Sequence, residues 1–182
     1  MLRELGVAIL TLFLIGCTAQ KITMEVSTMK LTSPAFTEGG KIPSKYTCDG
    51  QNINPSLTIA DVPAKAKSLT LLMDDPDIPE IAKKSFNVSV WDHWVVFNIP
   101  PGTKAVPEGK NPQGILGKNT RGNNTYGGPC PPDREHRYFF KLYALDSELK
   151  LPQGSSKAEV EKAMQGHVLA EAMLMGRYER KK

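Results

Sequence analysis

The sequence predicts a mainly β fold, on three observations. Short apolar runs rich in β-branched and aromatic residues recur at Ser56–Ala60, Ser68–Met73, His93–Ile99 and His136–Leu145. Stretches dense in glycine, proline and asparagine separate them, as at Pro43–Asn54 and Pro100–Asn124. A single segment, late in the chain, carries helical spacing behind a capping signal. At 182 residues the chain suits one domain with a real core, since about 150 residues already bury roughly 68–70% of their unfolded surface. Charged residues at 23% and hydrophobic ones at 40% exclude disordered and fibrous classes.

Taken in order, the chain opens on Met1-Leu-Arg-Glu and then twelve uncharged residues, Leu5–Gly16. That run is short of the roughly 20 residues a membrane span needs and matches a signal-peptide apolar core. Leu14-Ile-Gly-Cys17 resembles a bacterial lipobox, which makes residues 1–16 a lipoprotein-type signal and Cys17 the lipidated first mature residue. The alternatives are an uncleaved anchor or an ordinary secretory signal; all three deliver the domain outside the cytoplasm. Residues 17–28 read as a tether, and the domain occupies 29–182. Met29–Ser33 begins it. Ser56–Ala60 and Ser68–Met73 are strands joined by a turn, and Glu80–Val90 is a loop placed to lie over a pocket. His93–Ile99 is so uniformly apolar that it is expected to be buried on both faces. Pro100–Asn124 reads as a long ordered loop. Ser156-Lys-Ala-Glu159 has capping-box spacing, and Val160, Ala163, Met164, His167, Val168, Ala172 and Met175 follow at helical intervals, predicting one amphipathic helix up to Gly176.

The richest stretch is Tyr126-Gly-Gly-Pro-Cys-Pro-Pro-Asp-Arg-Glu-His-Arg-Tyr138, with two glycines, three prolines, a cysteine and a histidine in 13 positions. Its prolines stiffen it before any tertiary contact forms. Gly127 and Gly128 are expected to adopt φ > 0 and turn their N–H groups toward a bound anion. Together with Asp74-Asp-Pro-Asp-Ile-Pro79, His93-Trp-Val-Val-Phe-Asn-Ile-Pro100, Tyr46-Thr-Cys-Asp-Gly50 and Gly166–Ala172, it closely resembles the phosphatidylethanolamine-binding protein family, in the bacterial and archaeal branch related to the Raf kinase inhibitor protein. The resemblance covers roughly residues 29–180. It implies a β-sandwich with a few peripheral helices and a C-terminal helix. It also implies that Asp75, His93, Gly128, Pro129, His136 and Tyr138 line a small anion and headgroup pocket.

Asp77 is open between a pocket role and a structural one, holding its loop through backbone N–H groups. His167, on the expected helix, reads as packing. A carboxylate beside an imidazole favours the imidazolium, so Asp75 with His93 and His136 suits a site that offers N–H donors to phosphate and an acceptor to an ammonium group. Anion affinity is then expected to fall as pH rises past about 6.5. Two histidines and two aspartates invite a zinc reading, but no close His pair exists and no metal or cofactor is expected. Cys130 is the one motif nucleophile candidate, and neither a Gly-x-Ser-x-Gly elbow nor a phosphate loop is present. With Cys17 lipidated, Cys48 and Cys130 remain as an even pair, which in an oxidising compartment is most simply a disulfide and otherwise two buried thiols.

The net charge of +4 is mild and no basic stripe interleaves with aromatics, so nucleic acid is not an expected partner. The sequence therefore reads as an exported, membrane-anchored protein that binds phosphate or a phosphoethanolamine headgroup without turning it over. The alternative is a protease or kinase inhibitor module whose pocket docks an acidic or phosphorylated partner group, and a third is a hydrolase using His93 or His136 as base. Asp133-Arg-Glu135, just before His136, departs from the family's more neutral spacer and puts two acids and an arginine at the rim.

Overall fold

The computed structural model describes residues 29–181. The signal segment, Cys17 and the tether therefore lie outside the described residues. The elements run β1 (Lys30–Thr32), β2 (Leu57–Ala60), β3 (Ser68–Asp75), α1 (Glu80–Phe86), β4 (Trp91–Ile99), β5 (Ala105–Val106), β6 (Ile115–Leu116), β7 (His136–Leu145), α2 (Lys157–Met164) and β8 (Val168–Tyr178). Two antiparallel sheets form a sandwich: β1-β2-β5, and the larger β6-β4-β3-β7-β8.

Strand alternation sends side chains of the large sheet to two different places. Leu69, Leu71 and Met73 of β3 join Trp94, Val96, Phe140 and Leu142 in the core shared with Leu31, Leu57 and Ile59 of the small sheet. On the opposite face, Leu72, Val95 and Phe97 pack against Val160 and Met164 of α2. Covered on both faces, β3 has no exposed residue along its whole length, and β4 is buried from His93 to Phe97. The apolar runs of the sequence are explained by that double burial, at roughly 1.5–3 kcal/mol for each large side chain.

The helix expected to run to Gly176 ends at Met164. Ser156 does cap it, accepting from Glu159 N–H while the Glu159 carboxylate accepts from Ser156 N–H. Gly166 then takes φ +79°, which breaks the α-helical path, and the chain reverses into β8. Ala170, Ala172, Leu174, Gly176 and Tyr178 alternate inward along that strand, so residues that looked helical at one spacing obey a period of two at another. β8 pairs with β7 in one register from His136↔Tyr178 to Ala144↔Ala170, then shifts by a residue at Leu145↔Val168. His167 sits in the turn rather than on a helix, where its Nδ1 is 2.7 Å from Asp146 Oδ1. Ile42 and Phe36 cross so close to Gly176 that a Cβ there would meet them at 2.5 and 2.8 Å.

The expected loop at Glu80–Val90 begins instead as α1, stopped after seven residues by Asn87 in the left-handed region. Cys48 and Cys130 form a disulfide, tying the turn after the 3-10 segment Ser44–Tyr46 to the proline-rich loop before β7. Closing a loop over a separation of 82 residues constrains the unfolded chain by about 4 kcal/mol in the entropy model. Cys48 N–H also donates to Pro129 O at 3.1 Å, beside the covalent link.

Candidate functional site

Three long strands of the large sheet end at one edge of the sandwich, and a cavity of about 230 Å³ opens there. Asp75 from the end of β3, His93 from the start of β4 and His136 from the start of β7 all line it, as do Gly127 and Gly128 of the proline-rich loop. Residues up to 61 positions apart thus converge because antiparallel strands bring alternate termini to the same edge. Tyr138 lies behind the wall, fully buried, with its ring 5.3 Å from His93 and 6.4 Å from His136 between centroids. Pro129 is buried and does not line the cavity either.

Asp77 is outside the cavity. Its carboxylate takes the Arg137 guanidinium in a fork, Nε at 2.8 Å and NH2 at 2.7 Å, and accepts Arg137 N–H at 3.0 Å. The Arg137 hydrogen bonds hold the Asp77 carboxyl low, at about 2. Asp77 fastens the β3–α1 connection to β7 and leaves Asp75 free to face inward.

The two histidines are wired differently. His136 is fully buried, with Nδ1 2.7 Å from Asp75 Oδ2 and Nε2 2.8 Å from Asp133 Oδ1. Both ring nitrogens therefore serve carboxylates of the chain itself, and Asp133 comes from the acidic spacer noted in the sequence. Asp75 also accepts Asp77 N–H at 2.8 Å. Burial raises the Asp75 carboxyl above the ordinary range, against the partial compensation of His136.

His93, 6% exposed, puts Nδ1 2.5 Å from Gly127 O. A carbonyl only accepts, so Nδ1 carries a proton, and in the neutral ring Nε2 is then an acceptor. Burial pushes the ring down to about 4 despite that hydrogen bond. The expected imidazolium grip is therefore corrected on both counts: His93 is neutral at physiological pH, and His136 has no free N–H. The glycine amides differ from expectation as well. Gly127 N–H donates to His93 O at 2.9 Å and Gly128 N–H to Asn52 Oδ1 at 2.8 Å, and neither residue takes positive φ. Gly128 is required for close approach instead, since a Cβ would lie 2.5 Å from Tyr46 O.

One buried donor near the site is left over. The Tyr138 hydroxyl makes no hydrogen bond of good geometry, but the Asp75 carboxylate and the Cys130 backbone lie close enough to act on it, and burial and that carboxylate keep it firmly protonated. Such a group costs roughly 1–3 kcal/mol until something satisfies it.

Beside Ile78 of the Asp74–Pro79 motif, residues outside the recognised motifs complete the wall: Ala82 and Phe86 of α1, with Trp91, Asp92 and Arg121. Phe86 and Trp91 meet edge to face at 4.7 Å, and the Arg121 guanidinium lies 5.5 Å from the Trp91 ring centre. Asn119 shapes the Arg121 loop, its Oδ1 accepting Arg121 N–H and Asn123 N–H while its amide donates to Thr125 O. The one available sequence signal was Trp91-Asp92 directly before His93; nothing in the glycine-rich Arg121 segment marked it. No group of three or more His, Cys, Asp or Glu suited to a metal occurs among the described residues.

A profile of the phosphatidylethanolamine-binding protein family matches residues 32–179. A UPF0098 protein of Methanothermobacter thermautotrophicus is 51% identical over 158 residues, covering 84% of this chain and 99% of that protein. Among solved structures, a putative phosphatidylethanolamine-binding protein homologue from Chlamydia trachomatis superposes with a TM-score of 0.81 at 44% identity, covering 85% of this chain and 99% of its own. E. coli YbcL, a new member of the mammalian family, gives 0.75 at 32%, covering 84% and 99%.

Proposed function

The chain belongs to the phosphatidylethanolamine-binding protein family, and on that footing we propose that it is an exported, lipid-anchored protein that binds small anionic or zwitterionic groups without turning them over. The observation that carries this reading is the convergence of Asp75, His93, His136 and Arg121 on one cavity of about 230 Å³ with largely apolar walls. A polar end seated under Trp91 and Phe86 suits a phosphate or phosphoethanolamine group bearing a less polar remainder. Cys17, with its preceding apolar run, supplies the anchor.

The test is a thermal-shift and calorimetric series with phosphate, phosphoethanolamine and acetate. A ligand at a hundredfold excess over its dissociation constant stabilises by about 2.7 kcal/mol, so binding is readily seen, and a flat response to all three contradicts the reading. Intact mass of the membrane fraction tests the anchor: an acylated chain beginning at Cys17 is expected.

A second reading rests on α1, where Ile81 and Phe86 are 75% and 52% exposed beside the cavity. Exposed apolar groups at a pocket rim suit a protease or kinase partner whose acidic or phosphorylated group enters the cavity. Ile81→Ser, outside the cavity wall, then abolishes partner inhibition while phosphate binding survives.

A further inference from the structure

Resting on the anion-site reading above, we infer that the cavity selects oxyanions that bring their own N–H or O–H donor, because the one ring nitrogen of His93 left without a partner among the described residues is an acceptor in the neutral ring. The warrant is the arrangement around His93. Nδ1 is spent on the Gly127 carbonyl at 2.5 Å, and Nε2 has no partner among the described residues. A ligand oxygen without hydrogen would meet that lone pair with its own. A P–OH of a monoester monoanion, or the ammonium of a phosphoethanolamine diester, would instead donate to it.

The other polar groups fit the same ligand. His136 presents no spare N–H, both nitrogens facing Asp75 and Asp133. Asp92 is neutralised by Lys157 at 2.9 Å on the far side. Arg121 makes no ion pair among the described residues and is the single uncompensated cation of the wall. One cation matches a singly charged phosphate group, as in a monoester monoanion or a diester, and a donorless dianion has both a charge too many and a hydrogen too few. Tyr138 packs its ring edge to face against His93 from behind the wall, which holds the imidazole in place.

A pH dependence follows that belongs to the ligand rather than to the protein. The groups that could confuse it are Asp74 and Asp75 of β3, Asp92 of β4, Arg121, and His136 and Tyr138 of β7. The His93 ring itself stays neutral throughout the range used, with its pKa near 4. A phosphate monoester loses its second proton near about 6. Its affinity is therefore expected to fall tenfold for each further pH unit.

Calorimetry on the intact wild-type protein tests this with four probes: phenyl phosphate at pH 5.5 and 8, dimethyl phosphate, and the pair glycerophosphoethanolamine and glycerophosphocholine. Phenyl phosphate is expected to bind at pH 5.5 and to lose at least tenfold by pH 8, with dimethyl phosphate at least tenfold weaker than phenyl phosphate at pH 5.5. Preference for the ethanolamine over the choline diester, unchanged between the two pH values, assigns the site to a lipid headgroup; equal weakness of both assigns it to free monoesters. Dimethyl phosphate binding as tightly as phenyl phosphate, with no pH dependence, overturns the donor requirement while leaving the anion site standing. Failure of every probe at both pH values overturns the anion site itself.

Discussion

Asp74 and Asp75 are neighbours on β3, both almost fully buried, and the pleat sends them to opposite faces of the sheet. Asp74 faces α2, where Lys141 and Lys157 reach it at 2.8 and 3.0 Å. Lys157, only 9% exposed, is shared with Asp92. Burial alone would lower its ammonium pKa, but the two carboxylates outweigh burial and raise it. Asp75 faces the cavity with one imidazole and one backbone N–H, and no lysine or arginine. The contrast separates structure from function on a single strand. Where charge is fully compensated the residue fastens elements together; where compensation stops short, beside an unfilled acceptor, there is room for a ligand to complete the set.

That contrast breaks first at Asp74. Asp74→Asn strands buried Lys157 against a reduced set of partners and is expected to cost roughly 3 kcal/mol or more in chemical denaturation, with phosphate affinity changed less than threefold. Asp75→Asn reverses the pattern: it removes a poorly compensated buried carboxylate, so stability at pH 7 changes by less than about 1 kcal/mol, while affinity falls about tenfold as His136 exchanges a charged partner for a neutral amide. Equal stability losses in the two variants would erase the distinction.

The acid limb sharpens it. His93 has a folded pKa near 4, below its ordinary 6.5, so the unfolded chain binds the extra proton between those values. The stability it contributes is fully present above pH 6.5 and is lost as pH falls toward 4; the shift amounts to about 3 kcal/mol. Asp75, with its carboxyl raised, works in the opposite sense and offsets part of the loss. The comparison is therefore with His93→Gln, which keeps an N–H for the Gly127 carbonyl; its stability is expected to lack this slope between pH 6.5 and 4, and an unchanged slope places the effect elsewhere.

The smallest effect is at Tyr138. Tyr138→Phe deletes a buried hydroxyl that has no well-formed hydrogen bond but lies beside the Asp75 carboxylate and the Cys130 backbone, so the ligand-free protein is expected to change by less than about 1 kcal/mol while phosphate affinity drops severalfold. A larger loss of stability would mean that the hydroxyl is fully satisfied in the empty protein.

The sequence made these residues findable to different degrees. Asp75, His93 and His136 were legible because each ends an apolar strand beside proline or glycine, and β3, β4 and β7 announced themselves by continuous apolar runs. The disulfide followed from an even pair of cysteines once Cys17 was set aside. β8 was not legible: Val168, Ala172 and Met175 satisfy helical spacing as well as Ala170, Leu174 and Tyr178 satisfy a strand, and only the break at Gly166 separates the two. The glycine-rich loop was read for its N–H groups, yet those are consumed by His93 O and Asn52, partners 34 and 76 positions away. Arg121 and Phe86 reach the cavity from segments without a motif, and no local pattern foretells where a long loop ends. The protonation of His93 depends on one carbonyl, Gly127 O, whose approach is a tertiary fact.

The most direct test of this account is nitrogen-15 NMR of the histidine rings in the ligand-free protein from pH 5 to 8. The His93 ring is predicted to remain neutral throughout, with the proton on Nδ1 and an unprotonated Nε2. A proton on Nε2, or a doubly protonated His93 ring at pH 6, would contradict it.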